Sequence, residues 1–411
     1  MSNHLRLRSA IAPICLAVLF VAALSIHVSQ PAVAGQIDAP VRSSYSVLSP
    51  IQSGDLTIFP VVKKGGTEKT LDWPYITLDE GLRGGDVVVT EAGRAAGLIR
   101  PRTRNRFPVI PGDQVNSLVL VNNSNRPLIL LAGEIVTGGK QDRVIAKDRI
   151  VPPESDPIDL SVFCIEPGRW VESSTQFGAA GKTGAGFMVQ PAVRREAMAA
   201  QNQARVWSAV GLAVDGMANA TASVSASGAP ARGGIIVDSE AGAVPSPATR
   251  ALGTTSYAKA MQREAVDAKV DEEGQSLLRD REGLLAKLRQ EHAVGIVVAV
   301  RGQILWADIF ADTGLLGKYW TKLIRSYAAE ALTSPSYDKA PVTAAEAQQF
   351  IDATNSGHET SEGESGIYRY REVRSGNSTS FVLQALLPGT GFDVHVSKLR
   401  ADDSPRIRPV R

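Results

Sequence analysis

The chain has 411 residues, and 44 Lys+Arg against 42 Asp+Glu give it a formal net charge of +2. Near-neutrality removes any electrostatic reason to expect nucleic acid or an anionic membrane surface as a partner. Two cysteines exclude a disulfide framework, and a chain this long needs none because it can bury a large core.

The first residues read as a targeting segment. Arg6 and Arg8 form a basic start, an apolar run extends from Ile11 to Ile26, and Ala32-Val33-Ala34 supplies a small-x-small cleavage pattern. The run falls short of the roughly 20 residues that a membrane-spanning helix needs. Residues 1–34 are therefore expected to be a signal peptide removed before Gly35, and a retained anchor is the competing reading. Cleavage would discard Arg6, Arg8 and Cys15, leaving a formally neutral, periplasmic or secreted protein, not membrane-associated, with Cys164 as its one cysteine.

Residues 35–214 form the first, β-rich half. Short runs rich in Val, Ile and Leu, separated by turn residues, predict strands at Leu56–Val62, Asp86–Thr90, Ser117–Val121, Pro127–Leu131, Val144–Val151 and Ile158–Ile165. Their packing is expected to be sandwich-like. A helix is expected around Ala192–Val210. Residues 215–255 are rich in Ala, Gly, Ser and Pro, a composition that predicts a flexible linker with a possible ordered island at Ile235–Val237.

Residues 256–400 form an α+β half, followed by a tail at 401–411. Tyr257–Arg289 is helix-forming but interrupted at Gly274 and Gly283. Val294–Val300 and Ile304–Phe310, joined through Arg301-Gly302, predict a hairpin. From Leu315 to Leu332 the apolar residues recur at i, i+4, with Asp312 or Thr313 as the cap. Tyr319, Trp320 and Tyr327 on that face are expected to be core. A shorter helix near Thr343–Ala353 precedes strands at Gly366–Val373, Ser380–Leu386 and Phe392–Leu399. The fold class is α+β.

Most familiar motifs fail on spacing. Gly178–Thr183 resembles the end of a phosphate-binding loop, but Gln176 stands where that loop requires glycine. His292, His358 and His395 include no pair at metal-ligand spacing, so no zinc site is expected and no cofactor is implied. Cys164 shares a strand face with Ile158, Leu160 and Val162, which predicts a core residue. His395 lies on the face of Asp393 and Ser397 and is expected to meet solvent.

One constellation resists a purely structural reading. The apolar strand Leu128–Leu131 runs into Gly133-Glu134 and the loop Gly138-Gly139-Lys140-Gln141-Asp142-Arg143. A second strand ends in Glu166-Pro167-Gly168-Arg169-Trp170. A carboxylate at a strand end beside a loop carrying cations is how many binding sites are assembled. Glu134, Lys140, Gln141, Arg143, Glu166, Arg169 and Trp170 are therefore candidate ligand-binding residues, and Glu134 and Glu166 are the candidate bases if there is catalysis. The alternative is a polar turn satisfied by internal salt bridges.

These stretches, with Leu56–Pro60, Tyr75–Glu80, Gln203–Trp207 and Val294–Leu332, resemble the ARG and rhodanese/phosphatase-superfamily-associated protein domain family, where ARG denotes ADP-ribosylglycohydrolase. The resemblance covers most of residues 55–399. It implies association with such enzymes and no settled activity. Ile135 stands where the family pattern often has a second acid, and Asp142 where Asn is common, so a paired-carboxylate mechanism is weakened. Two functions follow as expectations: a non-catalytic module binding a small anionic ligand, nucleotide- or ADP-ribose-like by that association, or a hydrolase with a glutamate base and arginine charge stabilisation.

Overall fold

The computed structural model describes residues 44–65, 75–94, 116–169, 171–181, 186–225, 246–335, 340–353, 357–376, 378–388 and 392–400. The proposed signal peptide, Trp170, the Ile235–Val237 island and the 401–411 tail lie outside them. The architecture is α+β, with a β-rich N-terminal half and a C-terminal half of mixed helices and strands.

The largest sheet is antiparallel and has nine strands. Its order is Tyr45–Val47, Leu56–Lys63, Ala293–Val300, Gln303–Phe310, Asp393–Arg400, Ser378–Ala385, Tyr368–Ser375 and His358–Glu364, with Ile51–Ser53 also on Leu56–Lys63. Ala293–Val300 is buried at every position, which explains its unbroken apolar sequence: a strand covered on both faces has no wet side to alternate with. Ile296, Val298 and Val300 enter the main core with the helix Thr313–Thr333. Val297 and Ala299 point the other way, into a smaller core closed by Ala347 and Ile351 of the helix Ala344–Asp352.

Two smaller sheets complete the N-terminal half. One contains Arg149–Val151, Leu128–Leu130 and Ile76–Thr77, and the other has six strands that include Ile135–Gly138, Arg143–Ile145 and Ile158–Cys164. Leu128, Leu130 and Val151 from the first share one apolar cluster with Leu118, Leu120, Leu160 and Val162 from the second. Cys164 is a buried free thiol, as its strand face predicts.

The expected division between halves is corrected in two places. Leu56–Lys63 belongs to the sheet of the C-terminal half, pairing Ile58 with Val298 and Phe59 with Val297. The expected linker is helical at both ends: Gln203–Ser225 extends into it, burying Met217, Ala218 and Thr221, and Pro247–Leu252 forms a short helix. Alanine is the best helix former, and small side chains let helices approach closely. A Cβ on Gly216 would lie 2.7 Å from Thr333. The Asp215 carboxylate accepts from the hydroxyls of Ser246 and Thr249, so it joins the two ends.

The helix Thr313–Thr333 follows its predicted face. Tyr319, Trp320, Leu323, Ile324, Tyr327 and Ala328 are buried, and the Asp312 carboxylate accepts from the Leu315 amide at 2.8 Å. The preceding helical stretch breaks at Gly274 as expected, but Gly283 lies inside the helix Arg281–Gln290, held by the Asp280 cap. Among the described residues no helix is long and apolar enough to cross a membrane.

The tight seam between Ala293–Val300 and Gln303–Phe310 gives a direct test. A Cβ on Gly295 would lie 2.5 Å from the Asp308 carbonyl oxygen, whereas one on Gly178 meets nothing within 4 Å. Gly295→Val is expected to cost about 1–3 kcal/mol through overpacking, and Gly178→Val less than about 0.5 kcal/mol. Urea unfolding of the two variants would decide it, and equal losses would count against the seam.

Candidate functional site

The predicted residues divide between two clusters. Glu134 is 1% exposed. Its Oε1 lies 2.6 Å from Lys322 Nζ, and its Oε2 accepts from the Leu131 amide at 2.7 Å. Lys322 also contacts Asp79. Burial alone would push the Lys322 ammonium down, but Glu134 and Asp79 outweigh it and hold its pKa above the usual range. One cation facing two carboxylates leaves an excess negative charge, and burial followed by the Asp79 charge pushes Glu134 upward. Gly133 adopts φ +98°, where a Cβ would lie 2.9 Å from Arg194 Cδ, so glycine lets the chain turn past that side chain.

The second cluster is centred on Glu166. Its Oε2 meets Arg169 Nη2 at 2.6 Å and its Oε1 meets Lys259 Nζ at 2.6 Å. Burial would raise this carboxyl, but the two cations hold it below its ordinary value. Gln141 Nε2 donates to the Glu166 carbonyl at 3.2 Å, and the Asp142 amide donates to Glu166 Oε2 at 3.1 Å. Asp142 accepts from the Ser256 hydroxyl at 2.9 Å. The Lys140 amide donates to Glu91 Oε1 at 2.9 Å. Arg143 is fully buried opposite Cys164, and burial pushes its guanidinium down against the raising effect of Cys164, Glu91 and Asp142. The structure thus gathers Gln141, Glu166 and Arg169 with Ser256 and Lys259 of the other half, and it places Glu134 elsewhere.

A third cluster was missed. Asp308, fully buried, takes Arg194 Nη1 at 3.0 Å, His395 Nε2 at 3.1 Å, the Ser397 hydroxyl at 2.7 Å, Trp306 Nε1 at 3.2 Å and the Tyr327 hydroxyl. His395 Nδ1 reaches Asp148 Oδ2 at 2.6 Å, and Asp148 Oδ1 accepts from the Ala132 amide at 2.7 Å. Burial would raise Asp308, but Arg194 and then His395 hold it far below the carboxylate range. Burial would lower His395, but Asp148 and Asp308 push it up to about 9. The expectation that His395 meets solvent is therefore wrong: strand alternation told which residues share its face, but at His395 that face turns into the main core beside its cross-strand neighbour Phe310, 4.7 Å away. The available signal was Asp308 itself, a lone acid inside an apolar strand.

A large opening adjoins the first cluster, where Gly186 of its wall packs on Asp79. A groove of about 1040 Å³ is bounded by Phe187, by the helices Glu264–Glu273, Gln275–Leu278 and Arg281–Gln290, and by Thr321 and Arg325. Arg325 is held by Asp267 and Asp271, with its guanidinium 5.7 Å above the Phe187 ring. Glu272 meets Lys269 at 2.8 Å, and Asp280 caps a helix. Arg281 donates to the Thr321 hydroxyl at 3.0 Å. Among the described residues neither Arg279 nor Arg281 forms an ion pair, and no group of three or more His, Cys, Asp or Glu is placed to hold a metal ion.

The raised value of His395 carries a pH prediction. Its folded pKa lies above the unfolded one near 6.5, so its contribution is complete below about pH 6.5 and is lost as pH rises through about 9. That difference corresponds to roughly 3 kcal/mol. Lys398, which burial lowers from 10.5 to about 8, acts with the opposite sign between those two values, overlapping the upper end of the His395 window. The comparison is therefore made with His395→Gln, which leaves Lys398 in place. Unfolding free energies at pH 6 and pH 9.5 should diverge between the two proteins, and parallel profiles would contradict the assignment.

A family model described as the ARG and Rhodanese-Phosphatase-superfamily-associated Protein domain matches residues 44–399. No curated relative and no solved structure matches the chain. The match spans both halves and all three buried clusters, and the chain belongs to the ARG and Rhodanese-Phosphatase-superfamily-associated Protein domain family.

Proposed function

We propose that the protein is an exported, non-catalytic module that binds a small anionic ligand in the groove beside the helix Thr313–Thr333. The observation that carries this reading is the pair of guanidiniums at the groove rim, Arg279 and Arg281, which form no ion pair among the described residues. The wall's five acids outnumber its three arginines, so an anion would be held by the two rim guanidiniums and not by net charge; Asp267 and Asp271 share Arg325, Glu272 meets Lys269, and Asp280 caps a helix. Glu282 is the remaining lining acid, while Arg279 and Arg281 stand at the rim without a counter-charge among the described residues. Two guanidinium forks suit a phosphate or carboxylate, and the volume suits a nucleotide-sized molecule. The strand-end cations first expected to grip the anion are engaged elsewhere, Arg169 on Glu166 above all. A hydrolase using Glu134 or Glu166 as base would first have to detach it from its cation.

Calorimetric titration with AMP, ADP-ribose and glucose 6-phosphate tests the groove. At least one is expected to bind saturably, and Arg279→Ala with Arg281→Ala should weaken it tenfold or more without changing the melting temperature in plain buffer. Arg169→Ala should lower stability rather than affinity. Absence of binding, or binding indifferent to the double variant, would sink the proposal. The export component rests on the segment before Gly35, and N-terminal sequencing of protein from its host should find Gly35 first. An intact Met1 or Ser2 in the membrane fraction would refute it.

A further inference from the structure

Behind the edge hairpin of the large sheet lies a second opening, unrelated to the groove. The strands His358–Glu364 and Tyr368–Ser375 face the turn at Lys147–Arg149, and between them are two adjoining cavities of about 230 and 90 Å³ with Lys147 and Glu362 in both walls. Two ion pairs bridge the hairpin to the turn: Lys147 to Glu362 at 2.7 Å and Arg149 to Glu364 at 3.4 Å. Asp148, which lines the larger cavity, is 1% exposed and is held from behind by His395.

The smaller cavity is lined by Tyr370, which is 3% exposed and whose buried hydroxyl has no hydrogen-bond partner. Native interiors seldom retain such a group without a reason. Its surroundings restrict what could meet it. Lys147, Arg149 and Asp148 each have a counter-charge, and Asp159 accepts from the Ser117 hydroxyl. Among the described residues the one lining carboxylate without an ion pair, Asp159, is exposed and screened by solvent, and no unpaired cation remains to draw in an anion, while carboxylates, a guanidinium, an ammonium and a phenol offer both acceptors and donors at short range. A ligand suited to that wall is uncharged and carries several groups that donate and accept at once. The combined size is at the lower end of small-molecule sites.

We infer that this cleft binds a small neutral polyhydroxylated molecule of the sugar or cyclitol type, with the Tyr370 hydroxyl as one of its contacts. Because the cleft and the groove have separate walls, the inference stands whether or not the groove takes an anion.

Saturation-transfer NMR and calorimetry on the full chain, with D-glucose, D-ribose and myo-inositol as probes, test it. At least one probe should saturate, and Tyr370→Phe, which removes one oxygen and no volume from the core, should weaken it at least tenfold. Lys147→Gln, at the partly exposed rim, gives a second reading and should weaken the same probe less. Arg279→Ala with Arg281→Ala should leave it unchanged. Failure of all three probes to saturate would overturn the inference and leave a cleft that holds water. Equal affinity in Tyr370→Phe would overturn it too, as would tighter binding of glucose 6-phosphate than glucose that Arg149→Ala abolishes.

Discussion

The structure depends on how a carboxylate at the centre of the large sheet is satisfied. Asp308 cannot stay charged in an apolar interior unless cations and donors surround it. The chain supplies Arg194 from the N-terminal half and His395, Ser397, Trp306 and Tyr327 from the C-terminal half. His395 then passes the constraint to Asp148, which in turn fixes the amide after Leu131. Each member is positioned by another, so the two halves must meet in one register. Such a network is weak grounds for high stability, but removing a single partner leaves a buried charge at a cost of about 3–5 kcal/mol.

The same device recurs where the sequence looked most like a binding site. Lys322 of the long helix holds Glu134 and Asp79, and Lys259 with Ser256 holds Glu166 and Asp142. In all three clusters an acid from the N-terminal half meets a partner from the C-terminal half. Glu134, Asp142 and Glu166 are, in this geometry, joints between the halves. Among the described residues the groove and the smaller cleft are solvent-facing openings.

Much of this was legible beforehand because local physics dictates it. The i, i+4 repeat of Leu315–Leu332 could only bury its apolar face, and Arg301-Gly302 between two apolar runs could only be a tight turn. The motif positions were legible as a set, and so was the rival reading of internal salt bridges. What was not legible depends on partners distant in sequence. Nothing near His395 says that Asp148, 247 residues earlier, will sit beside it. Nor does Ala/Ser-rich composition reveal that Gly216 packs on Thr333 and that the first residues of the expected linker are helical. The groove was invisible for the same reason, since Phe187, Arg281 and Thr321 meet only in three dimensions.

Residue-resolved native-state hydrogen exchange tests most directly whether the buried charges weld the two halves into one cooperative unit. Amides of Leu128–Leu130 and Arg143–Ile145 in one half, and of Ala293–Val300 and Gln303–Phe310 in the other, should open with the same free energy. Asp308→Asn should lower all of them by the same amount. Loss of protection confined to the strands around Asp308, with the N-terminal strands unchanged, would contradict the account.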